Sequence, residues 1–503
     1  MDVDDLLHTL ENLPRPRLLV IGDLMLDRYT YGAASRISQE APVIVLQASE
    51  TEDRLGGAAN TANMAQGLLA EVTCVGVVGQ DDAGAQVREL LQAAGIDAVV
   101  FTDASRPTTL KERFIGRAGS RHPSQILRVD REDCREISVE LAEKLAWEVA
   151  DRAADCDAVI ISDYGKGLCS PALLRRVIAA ARAAGAPVLV DPARGGDFSH
   201  YRGATLLKPN RPETELATGL AIQDQAGALI AARRLCQDYD AQLAVVTLDR
   251  DGMALVAREA GVVGDGGRVF PSKARAVYDI TGAGDMVMAM LGVCLGSGIS
   301  PASAVQLANI AGGLEVEKAG VAIVTREEIV AELQLHRPPR QRKLLSLEEA
   351  AALAARRRAL GARVVFTNGC FDLLHVGHVS YLTEAAALGD LLIVGVNSDA
   401  SVRKLKGPER PVIGETDRAA MLAALACVEA VVVFDDDTPH RLLHAIRPDV
   451  LVKGGTYTPQ EVVGREVVQA YGGQVLVTGM TDGISTTRII QSILPAPARS
   501  KAG

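Results

Sequence analysis

The feature that most limits how this chain can fold is the alternation of two kinds of segment along it. Short apolar runs rich in β-branched residues, such as RLLVIGD, DAVIISDY, PVLVDPA, RVVFTNG and LLIVGVN, alternate with alanine-rich stretches of helical length, such as PALLRRVIAAARAAG. Continuous apolar strands separated by helices are typical of parallel sheets that helices cover on both faces. The sequence therefore predicts an α/β fold.

The chain is long enough for more than one such domain, because its 503 residues exceed one ordinary hydrophobic core. The stretch HRPPRQRK interrupts the α/β pattern with two prolines and five basic residues, counting the histidine. Ser346 and Glu349 follow in the spacing of a capping box at the start of a new helix. These features give the predicted organisation: a first domain over residues 1–336, a linker over 337–345 and a second domain over 346–503.

Composition excludes several classes of protein. A net charge of −10 argues against non-specific binding to nucleic acid, which needs clustered Lys and Arg. The eight cysteines are scattered without a CxxC pair, which favours reduced thiols over a disulfide framework or a zinc site. The acidic start lacks the layout of a secretory signal, and no apolar run approaches the ~20 residues of a membrane span. We expect a soluble, cytoplasmic protein with no nucleic-acid or membrane partner.

The strongest chemical signal in the first predicted domain is the stretch AVYDITGAGDMVMAM. Its glycine-rich turn leads into an apolar helix, so the N–H groups of Gly282, Ala283 and Gly284 would form an anion hole at the helix N-terminus. Asp285 at its mouth could take a proton from an attacking hydroxyl while the N–H groups stabilise a phosphoryl group in transfer. A capped turn without catalytic function would have the same local sequence.

Two earlier segments carry residue types suited to sugar hydroxyls. In GGAAN, the glycines Gly56 and Gly57 are followed by Asn60, which is positioned like a hydroxyl-binding amide. In LLVIGDLMLDRY, Asp23 and Asp27 come just after the first predicted strand, where acceptors for sugar hydroxyls belong. We predict that these five residues contact a sugar.

A further segment, KPNRPETE, contains oxygen ligands in a suggestive spacing. Asn210 and Glu213 form an N-x-x-E arrangement suited to holding hydrated Mg²⁺ near phosphates. Arg211 and Pro212, which lie between them, belong to the same predicted nucleotide-binding segment. Taken singly, this segment and the two sugar-binding candidates before it are more typical of turns and helix caps than of binding sites.

In this order, the segments resemble the ribokinase-like (PfkB) carbohydrate kinases. The two signature regions of that family are a GG…N segment and a D-x-x-G-A-G-D segment, and the second is complete here from Asp279 to Asp285. The resemblance implies a three-layer α/β domain that uses ATP with Mg²⁺. A homodimer formed through this domain is also expected, and a monovalent cation is a further candidate cofactor.

The second predicted domain carries two histidines three residues apart in NGCFDLLHVGHVSYL. They follow an apolar run, where a strand gives way to a helix, so His375 and His378 would share one face of the first helical turn. Because helix N-termini attract anions, this placement suggests a phosphate site. A zinc pair is a weaker interpretation, since no third ligand lies at a telling spacing, and two core histidines would not explain the intervening glycine.

Two further elements fit a phosphate site. Lys453 follows the apolar run DVLV, and GISTTRII offers hydroxyl, N–H and guanidinium donors near the C-terminus. The N-G-x-F-D-x-x-H-x-G-H pattern and this later element resemble the nucleotidyltransferase superfamily, which implies a Rossmann-like domain. In that superfamily the H-x-G-H pair cradles a triphosphate. The corresponding phosphate- and nucleotide-binding candidates are Phe371, Lys453, Ser485, Thr486, Thr487 and Arg488, with His375 and His378 as catalytic residues.

Together the two domains resemble, over nearly the whole chain, the bifunctional enzymes that make ADP-heptose for the lipopolysaccharide inner core. SRISQEAPV, SDYGKG and VNSDASVRKLKG add to the generic signatures. The resemblance implies phosphorylation of heptose 7-phosphate at O1 and transfer of AMP from ATP to heptose 1-phosphate, with pyrophosphate released. The partners would be small molecules, and Lys111 and Arg113 are candidates for contacting the substrate's 7-phosphate.

Two alternatives stay open at this point. The same kinase could be joined to a cytidylyltransferase, because H-x-G-H enzymes use either CTP or ATP and nothing in HVGH or GISTT reads the base. A non-catalytic sugar-nucleotide sensor would be expected to have lost Asp285 or one of the histidines, and this chain retains them all.

Overall fold

A computed structural model describes residues 3–117, 124–195, 197–259, 262–263, 266–272, 281–318, 320, 322–336, 342–455 and 458–478 of the chain. Contacts divide the chain into two compact units, Met1–Leu333 and Gln334–Gly503. Each unit has its own sheet and its own hydrophobic clusters.

The first unit alternates strands and helices. Its strands are β1 (Arg17–Gly22), β2 (Leu24–Ile37), β3 (Ile44–Gly57), β4 (Glu71–Val78), β5 (Asp97–Thr102), β6 (Thr109–Arg117), β7 (Ser124–Arg131), β8 (Ala158–Ser162), β9 (Val188–Asp191), β10 (Leu206–Leu207), β11 (Leu243–Thr247), β12 (Met253–Glu259), β13 (Val262–Val263) and β14 (Arg268–Phe270). Its helices are α1 (Val3–Glu11), α2 (Ala58–Gly67), α3 (Asp82–Ala93), α4 (Val139–Ala153), α5 (Pro171–Ala183), α6 (Arg211–Thr218), α7 (Gln225–Asp238), α8 (Ala283–Gly296), α9 (Pro301–Glu315) and α10 (Arg326–His336).

The larger sheet of this unit has the strand order β13-β12-β11-β10-β9-β8-β1-β4-β5, with β14 paired to β12. The strands from β11 to β5 in this order run parallel, and β12 is antiparallel to β11. Every residue of β8 is buried, because α2, α8 and α9 pack on one face of the sheet and α4, α5 and α7 on the other. The chain passes from β1 to β4 on one side and later to β8 on the other, so a crevice is expected at the carboxyl end of β1.

A smaller sheet with the order β3-β2-β6-β7 lies in the same unit. Long strands β2 and β3 pair antiparallel, while β6 pairs parallel to β2. The chain enters this sheet directly from β1 through Asp23, which separates β1 from β2. The smaller sheet therefore begins at the crevice of the larger one and brings the side chains of β6 to it.

The second unit contains one parallel sheet with the order β17-β16-β15-β18-β19. Its strands are β15 (Val364–Gly369), β16 (Leu391–Asn397), β17 (Ala430–Phe434), β18 (Val450–Gly454) and β19 (Gln474–Thr478). Its helices are α11 (Leu347–Ala359), α12 (Val376–Ala386), α13 (Asp399–Lys406), α14 (Glu415–Ala423), α15 (His440–Ile446) and α16 (Arg465–Ala470). Helices α11, α15 and α16 cover one face, and α12 and α14 cover the other. The strand order reverses direction at β15, which places a crevice at its carboxyl end.

The predicted α/β class is confirmed for both units. The capping box of Ser346 and Glu349 is also confirmed, since each side chain accepts a hydrogen bond from the other residue's backbone N–H at the start of α11. Residues 337–341 of the predicted linker lie outside the described residues, so the boundaries at 336 and 346 stay a prediction. All eight cysteines are free thiols. Within the described ranges, no helix combines the length and the apolar character needed to cross a membrane.

Candidate active sites

The glycine-rich turn of the first unit leads into α8 as predicted. Gly282 is the N-cap with φ 101°, a left-handed conformation that glycine adopts without a steric penalty. Asp285 lies in the first turn of α8 and is only 5% exposed. The first N–H groups of a helix have no intrahelical acceptor, so those of Ala283 and Gly284 are suited to an anion. Asp279 and Ile280, which complete the sequence signature, lie outside the described residues.

Three side chains hold the Asp285 carboxylate. Asn60 Nδ2 donates to Oδ2 at 2.7 Å, while Thr61 Oγ1 and the Tyr164 hydroxyl donate to Oδ1 at 2.9 and 2.8 Å. Burial raises the pKa of the Asp285 carboxyl above its ordinary value, and these three hydrogen bonds act in the opposite direction. The carboxylate is thus oriented and desolvated, which suits a group that accepts a proton from a substrate.

The GGAAN segment reaches the same place. Gly57 is the N-cap of α2 with φ 57°, and a Cβ there would lie 2.4 Å from the Asp23 carbonyl oxygen, so only glycine fits. The turn places Asn60, which is 1% exposed, against Asp285. The other amide atom, Asn60 Oδ1, is buried with no hydrogen-bond partner among the described residues. A buried acceptor without a partner is rare, and it marks a place for a donor such as a sugar hydroxyl.

The two other predicted sugar acceptors already carry protein contacts. Both carboxylate oxygens of Asp23 accept backbone N–H groups, from Tyr164, Lys166 and Leu168 at 2.9 to 3.2 Å. Asp27 Oδ1 accepts from Arg113 Nη1 at 2.6 Å, and both side chains are 8% exposed. Asp23 therefore fixes the loop that carries Tyr164. The predicted contacts of Asp23 and Asp27 with a sugar stay a prediction.

Gly56 and Lys111 line the space around this ion pair. A Cβ at Gly56 would lie 2.7 Å from Asp27 Oδ2, so glycine leaves that oxygen uncovered on this side. The Lys111 ammonium lies 5.1 Å from the centre of the Tyr164 ring. Burial lowers the pKa of Lys111, with Asp27 acting in the opposite direction. Lys111 is thereby brought to the site of Asp285, because Tyr164 contacts both.

The predicted nucleotide-binding segment forms the start of α6. Asn210 is its N-cap, and Asn210 and Glu213 form a capping box in which each side chain accepts the other's backbone N–H at 2.9 Å. Pro212 lies in the first turn, and Arg211 donates to the carbonyl oxygens of Ile222 and Leu248. The structure therefore gives these residues a capping role, and their contact with nucleotide stays a prediction.

Sequence reasoning missed an ion pair beside this segment. Lys208 Nζ lies 3.0 Å from Asp191 Oδ2, and the Lys208 side chain is 4% exposed. Burial raises the pKa of Asp191 to about 7, although the lysine acts to lower it. The only sequence signal was that Lys208 directly precedes the Pro-Asn of the same segment. Tyr164 was missed as well, although it follows strand β8 in SDYGKG.

In the second unit, the two histidines meet at the carboxyl end of β15. His375 is the N-cap of α12, and His378 lies in its first turn. Their rings stack with centroids 3.9 Å apart and planes inclined by 24°. Phe371, at φ 47°, packs its ring edge-on against His378 at 5.3 Å. The predicted placement of both imidazoles on one face of a helix start is therefore confirmed.

The surroundings of both imidazoles favour the neutral form. Burial lowers the pKa of His375, and burial followed by the proximity of His375 lowers the pKa of His378 to about 4. The Nδ1 atoms of both rings are buried and have no hydrogen-bond partner among the described residues. A neutral imidazole keeps one N–H donor, so the pair can donate to an anion without carrying charge.

Lys453 reaches this crevice from β18. Its ammonium donates to the Asn368 carbonyl oxygen at 3.0 Å, and burial lowers the pKa of Lys453. Since β15 and β18 are parallel neighbours, their carboxyl ends bring Lys453 and the histidine turn to one edge of the sheet. The remaining predicted phosphate contacts, Ser485, Thr486, Thr487 and Arg488, lie outside the described residues and stay a prediction.

Two buried charges that sequence reasoning missed brace the turn before the histidines. The side chain of Arg418 is 0% exposed, donates to the carbonyl oxygens of Cys370 and Ile413, and pairs with Asp399 at 2.7 Å. Asp372 accepts from the backbone of Val412 at 2.6 Å and pairs with Arg410 at 2.7 Å. No local signal distinguishes Arg418 from the exposed charges of its helix. These contacts fix the turn that presents the imidazoles.

Metal ligation by the protein alone has no candidate in the described part of the chain. There, no group of three or more His, Cys, Asp or Glu side chains is placed to hold a metal ion.

The two units match two family models. Residues 15–328 match the pfkB family of carbohydrate kinases, and residues 366–492 match a model described as cytidylyltransferase-like. Among solved structures, phosphofructokinase-2 from Escherichia coli in complex with substrates and products has a TM-score of 0.52 at 18% identity, covering 64% of this chain and 99% of that one. Ribokinase from Arabidopsis thaliana complexed with ribose and ATP has a TM-score of 0.50 at 20% identity, covering 64% and 99%. These likenesses show the fold of the first unit.

Curated relatives match over nearly the whole chain. The bifunctional protein HldE of Geotalea uraniireducens (strain Rf4) is 46% identical over 478 residues, which is 95% of each chain. The HldE proteins of Geobacter metallireducens and Caulobacter vibrioides are also 46% identical, over 95% and 96% of this chain and 96% and 98% of theirs. The similarity thus spans both units in one alignment.

Proposed function

The chain belongs to the family of bifunctional HldE proteins, and we propose how its two units divide the work. The first unit is a carbohydrate kinase that phosphorylates heptose 7-phosphate at O1 with ATP. The second is a nucleotidyltransferase that transfers AMP from ATP to heptose 1-phosphate and releases pyrophosphate. The observation that supports this division best is that each unit has its own helix start suited to phosphate, α8 in one and α12 in the other.

In the kinase, Asp285 is the general base. The O1 hydroxyl of the sugar gives its proton to the carboxylate as its oxygen forms a bond to the γ-phosphorus and the bond to ADP breaks. Asn60 and Tyr164 hold the carboxylate in place, and the N–H groups at the start of α8 stabilise the phosphoryl group in transfer. Lys111 and the Asp27–Arg113 pair lie on the smaller sheet, where they contact the sugar and its 7-phosphate.

We propose that Mg²⁺ accompanies ATP and is held near Glu213. One carboxylate oxygen of Glu213 serves the capping box, and the other lies 3.7 Å from the exposed guanidinium of Arg194, so it can turn toward a hydrated ion. When bound, Mg²⁺ would neutralise charge on the phosphates. The capping box keeps Glu213 and Asn210 at the edge of the crevice, which suits contact through water.

In the nucleotidyltransferase, the acceptor needs no base. A sugar phosphate has its second pKa near ~6 and is largely dianionic at neutral pH. One of its oxygens attacks the α-phosphorus of ATP while the bond to pyrophosphate breaks. His375, His378 and Lys453 donate N–H groups to phosphate oxygens as charge moves toward the departing pyrophosphate. We expect GISTT, which lies outside the described residues, to contribute further donors to the phosphates.

Turnover by the purified full chain tests this function. The full chain is given heptose 7-phosphate and ATP in one assay, which reports the first unit. In a separate assay it is given heptose 1-phosphate with either ATP or CTP, which reports the second unit. We expect ADP formation in the first assay and pyrophosphate release with ATP in the second. Faster release with CTP would replace the adenylyl assignment by a cytidylyl one, and absence of both activities would refute the function.

We further propose a cytoplasmic homodimer that forms through the kinase unit. On the smaller sheet, Ile37 and Ile44 are paired neighbours and both are exposed, and exposed apolar patches mark interaction sites. Light scattering should give twice the chain mass of 53.0 kDa, and Ile37→Asp with Ile44→Asp should return the mass to one chain. A monomeric wild type would refute the dimer. The free thiols support the cytoplasmic part of the proposal, because cysteines stay reduced in the cytosol.

A further inference from the structure

The ion pair of Lys208 and Asp191 is buried at the carboxyl edge of the larger sheet. Asp191 ends β9, and Lys208 directly follows β10, which pairs parallel to β9. The Lys208 backbone N–H donates to the Val190 carbonyl oxygen at 2.9 Å, which continues the pairing and sets the two side chains next to each other. A buried ion pair is weak evidence for stability, because desolvation offsets its attraction. Stability alone therefore does not explain why this ion pair lies at the carboxyl edge of the sheet.

Lys208 points at the glycine-rich start of α8. A Cβ added to Gly284 would lie 3.6 Å from Lys208 Nζ, so the ammonium is in contact range of the first helical turn. Lys208 is also the cation whose charge acts on Asp285, where it opposes the rise in pKa caused by burial. An anion on the N–H groups of Ala283 and Gly284 would thus meet the ammonium at close range.

A second, independent observation marks this place for a ligand. Asn60, which donates to Asp285, keeps its Oδ1 buried and without a hydrogen-bond partner among the described residues. A substrate hydroxyl that donates to Asn60 Oδ1 would lie beside the Asp285 carboxylate. Lys208 lies against the start of α8, the helix whose first turn carries Asp285. The hydroxyl acceptor and the phosphoryl group thus each have a place beside Asp285.

We propose that Lys208 is a catalytic residue of the kinase, whose ammonium binds the phosphoryl group in transfer, and that Asp191 is the positioning residue that holds it there. The inference rests on the proposed kinase function. The proton of the sugar hydroxyl goes to Asp285, the new O–P bond forms and the bond to ADP breaks, while Lys208 keeps its protons. Its N–H groups stabilise the negative charge on the equatorial oxygens of the phosphoryl group, as preorganised donors do in phosphoryl transfer.

The test compares two variants in the full chain. Lys208→Met removes the ammonium but leaves Asp191 buried without its partner. Lys208→Met combined with Asp191→Asn removes both charges and leaves no uncompensated ion. Kinase kcat and KM are measured with heptose 7-phosphate and ATP, and adenylyl transfer by the same molecules reports the amount of intact second unit. Lys144→Met, which breaks an exposed lysine pair with Glu140, is the matched control.

We expect kinase kcat to fall by about 10²–10³-fold in both variants, the scale for losing one preorganised donor, with KM for the sugar changed little. Asp191→Asn alone should lose less, because Lys208 remains but is less well held. If Lys208 served only to neutralise Asp191, the double variant would recover wild-type kcat, and that result would overturn the proposal. Should Lys208→Met fail to fold, the charge-free double variant decides alone.

The outcomes also separate this inference from the function on which it rests. A wild type that does not phosphorylate heptose 7-phosphate refutes the kinase assignment and this inference with it. An active wild type whose double variant stays within a few-fold of it refutes only the role of Lys208. An active wild type, an active Lys144→Met control and a double variant that loses about 10²-fold or more support it.

Discussion

Removing one imidazole from the stacked pair of the second unit should damage adenylyl transfer alone. His375 and His378 stack at 3.9 Å at the start of α12, and both keep a buried Nδ1 without a hydrogen-bond partner among the described residues. His378→Ala and His375→Ala each delete one N–H donor from the place where pyrophosphate departs. Neither changes the first unit, so phosphorylation of heptose 7-phosphate should stay at the wild-type rate.

The size of the loss follows from what the donors do. Losing one donor from a preorganised, water-poor site typically costs about 10²–10³-fold in kcat, or ~3–4 kcal/mol. Burial keeps the pKa of His378 at about 4, so its contribution at pH 7 is that of a neutral N–H donor rather than a charge. Asn or Gln, which also donate a neutral N–H, should therefore restore part of the loss. A proton-transfer role or a metal-ligand role would permit little restoration.

The two losses should not add. Residues in contact typically couple by 0.5–3 kcal/mol, and each ring orients the other through the stack. The double variant should thus fall short of the product of the two single losses. The assay is pyrophosphate release with heptose 1-phosphate and ATP, and ADP formation in the kinase assay serves as the internal control. Kinase loss in these variants, full additivity, or a zinc ion that the variants release would refute the reasoning.

The remaining predictions concern the general base, the independence of the units and the response to pH. Asp285→Asn should lower kinase kcat by about 10²–10⁴-fold, the usual contribution of a general base, and kinase activity within a few-fold of wild type would contradict that role. Chains ending near residue 336 and starting near residue 340 should each fold and keep one activity; two folded but inactive halves would exclude independent units. Between pH ~6.5 and about 4, the unfolded state binds a proton at His378 that the folded state does not, so the contribution of neutral His378 to stability is complete above pH ~6.5 and is lost as pH falls toward 4. The melting temperature of the second unit should accordingly fall more steeply over that window in wild type than in His378→Asn, and equal slopes would contradict the assignment.

Features that depend on local sequence were predictable. The turn at Gly282 needs a left-handed residue, and the helix after it needs apolar side chains, so TGAGD predicts both the turn and the place of Asp285. The histidine pair was predictable for the same reason, since i and i+3 meet on any helix start. The α/β class followed from the continuous apolar strands, whose residues are buried on both faces.

Features that depend on strand register were not predictable. Lys208 meets Asp191 only because β9 and β10 pair in parallel with a particular register. Arg113 reaches Asp27 because β6 pairs with β2, and that pairing joins segments 86 residues apart. Strand register buries Arg113 and pairs it with Asp27, where the sequence alone is equally consistent with a solvated surface charge. No spacing of residues along the chain predicts this pairing.

The two units place opposite electrostatic environments at the same point of an α/β fold, and the chemistry of the two acceptors explains why. A sugar hydroxyl is neutral and must lose a proton, so the first unit buries carboxylates there: burial raises the pKa of Asp285, and the pKa of Asp191 rises to about 7. A sugar phosphate already carries its charge, and a buried carboxylate would repel it. The second unit accordingly presents neutral imidazoles and Lys453, and its buried carboxylate Asp372 is turned into a brace with Arg410. Replacing His378 by Asp should for this reason abolish adenylyl transfer more completely than His378→Ala, because the variant adds repulsion to the loss of a donor, and equal rates for the two variants would show that charge at this position does not matter.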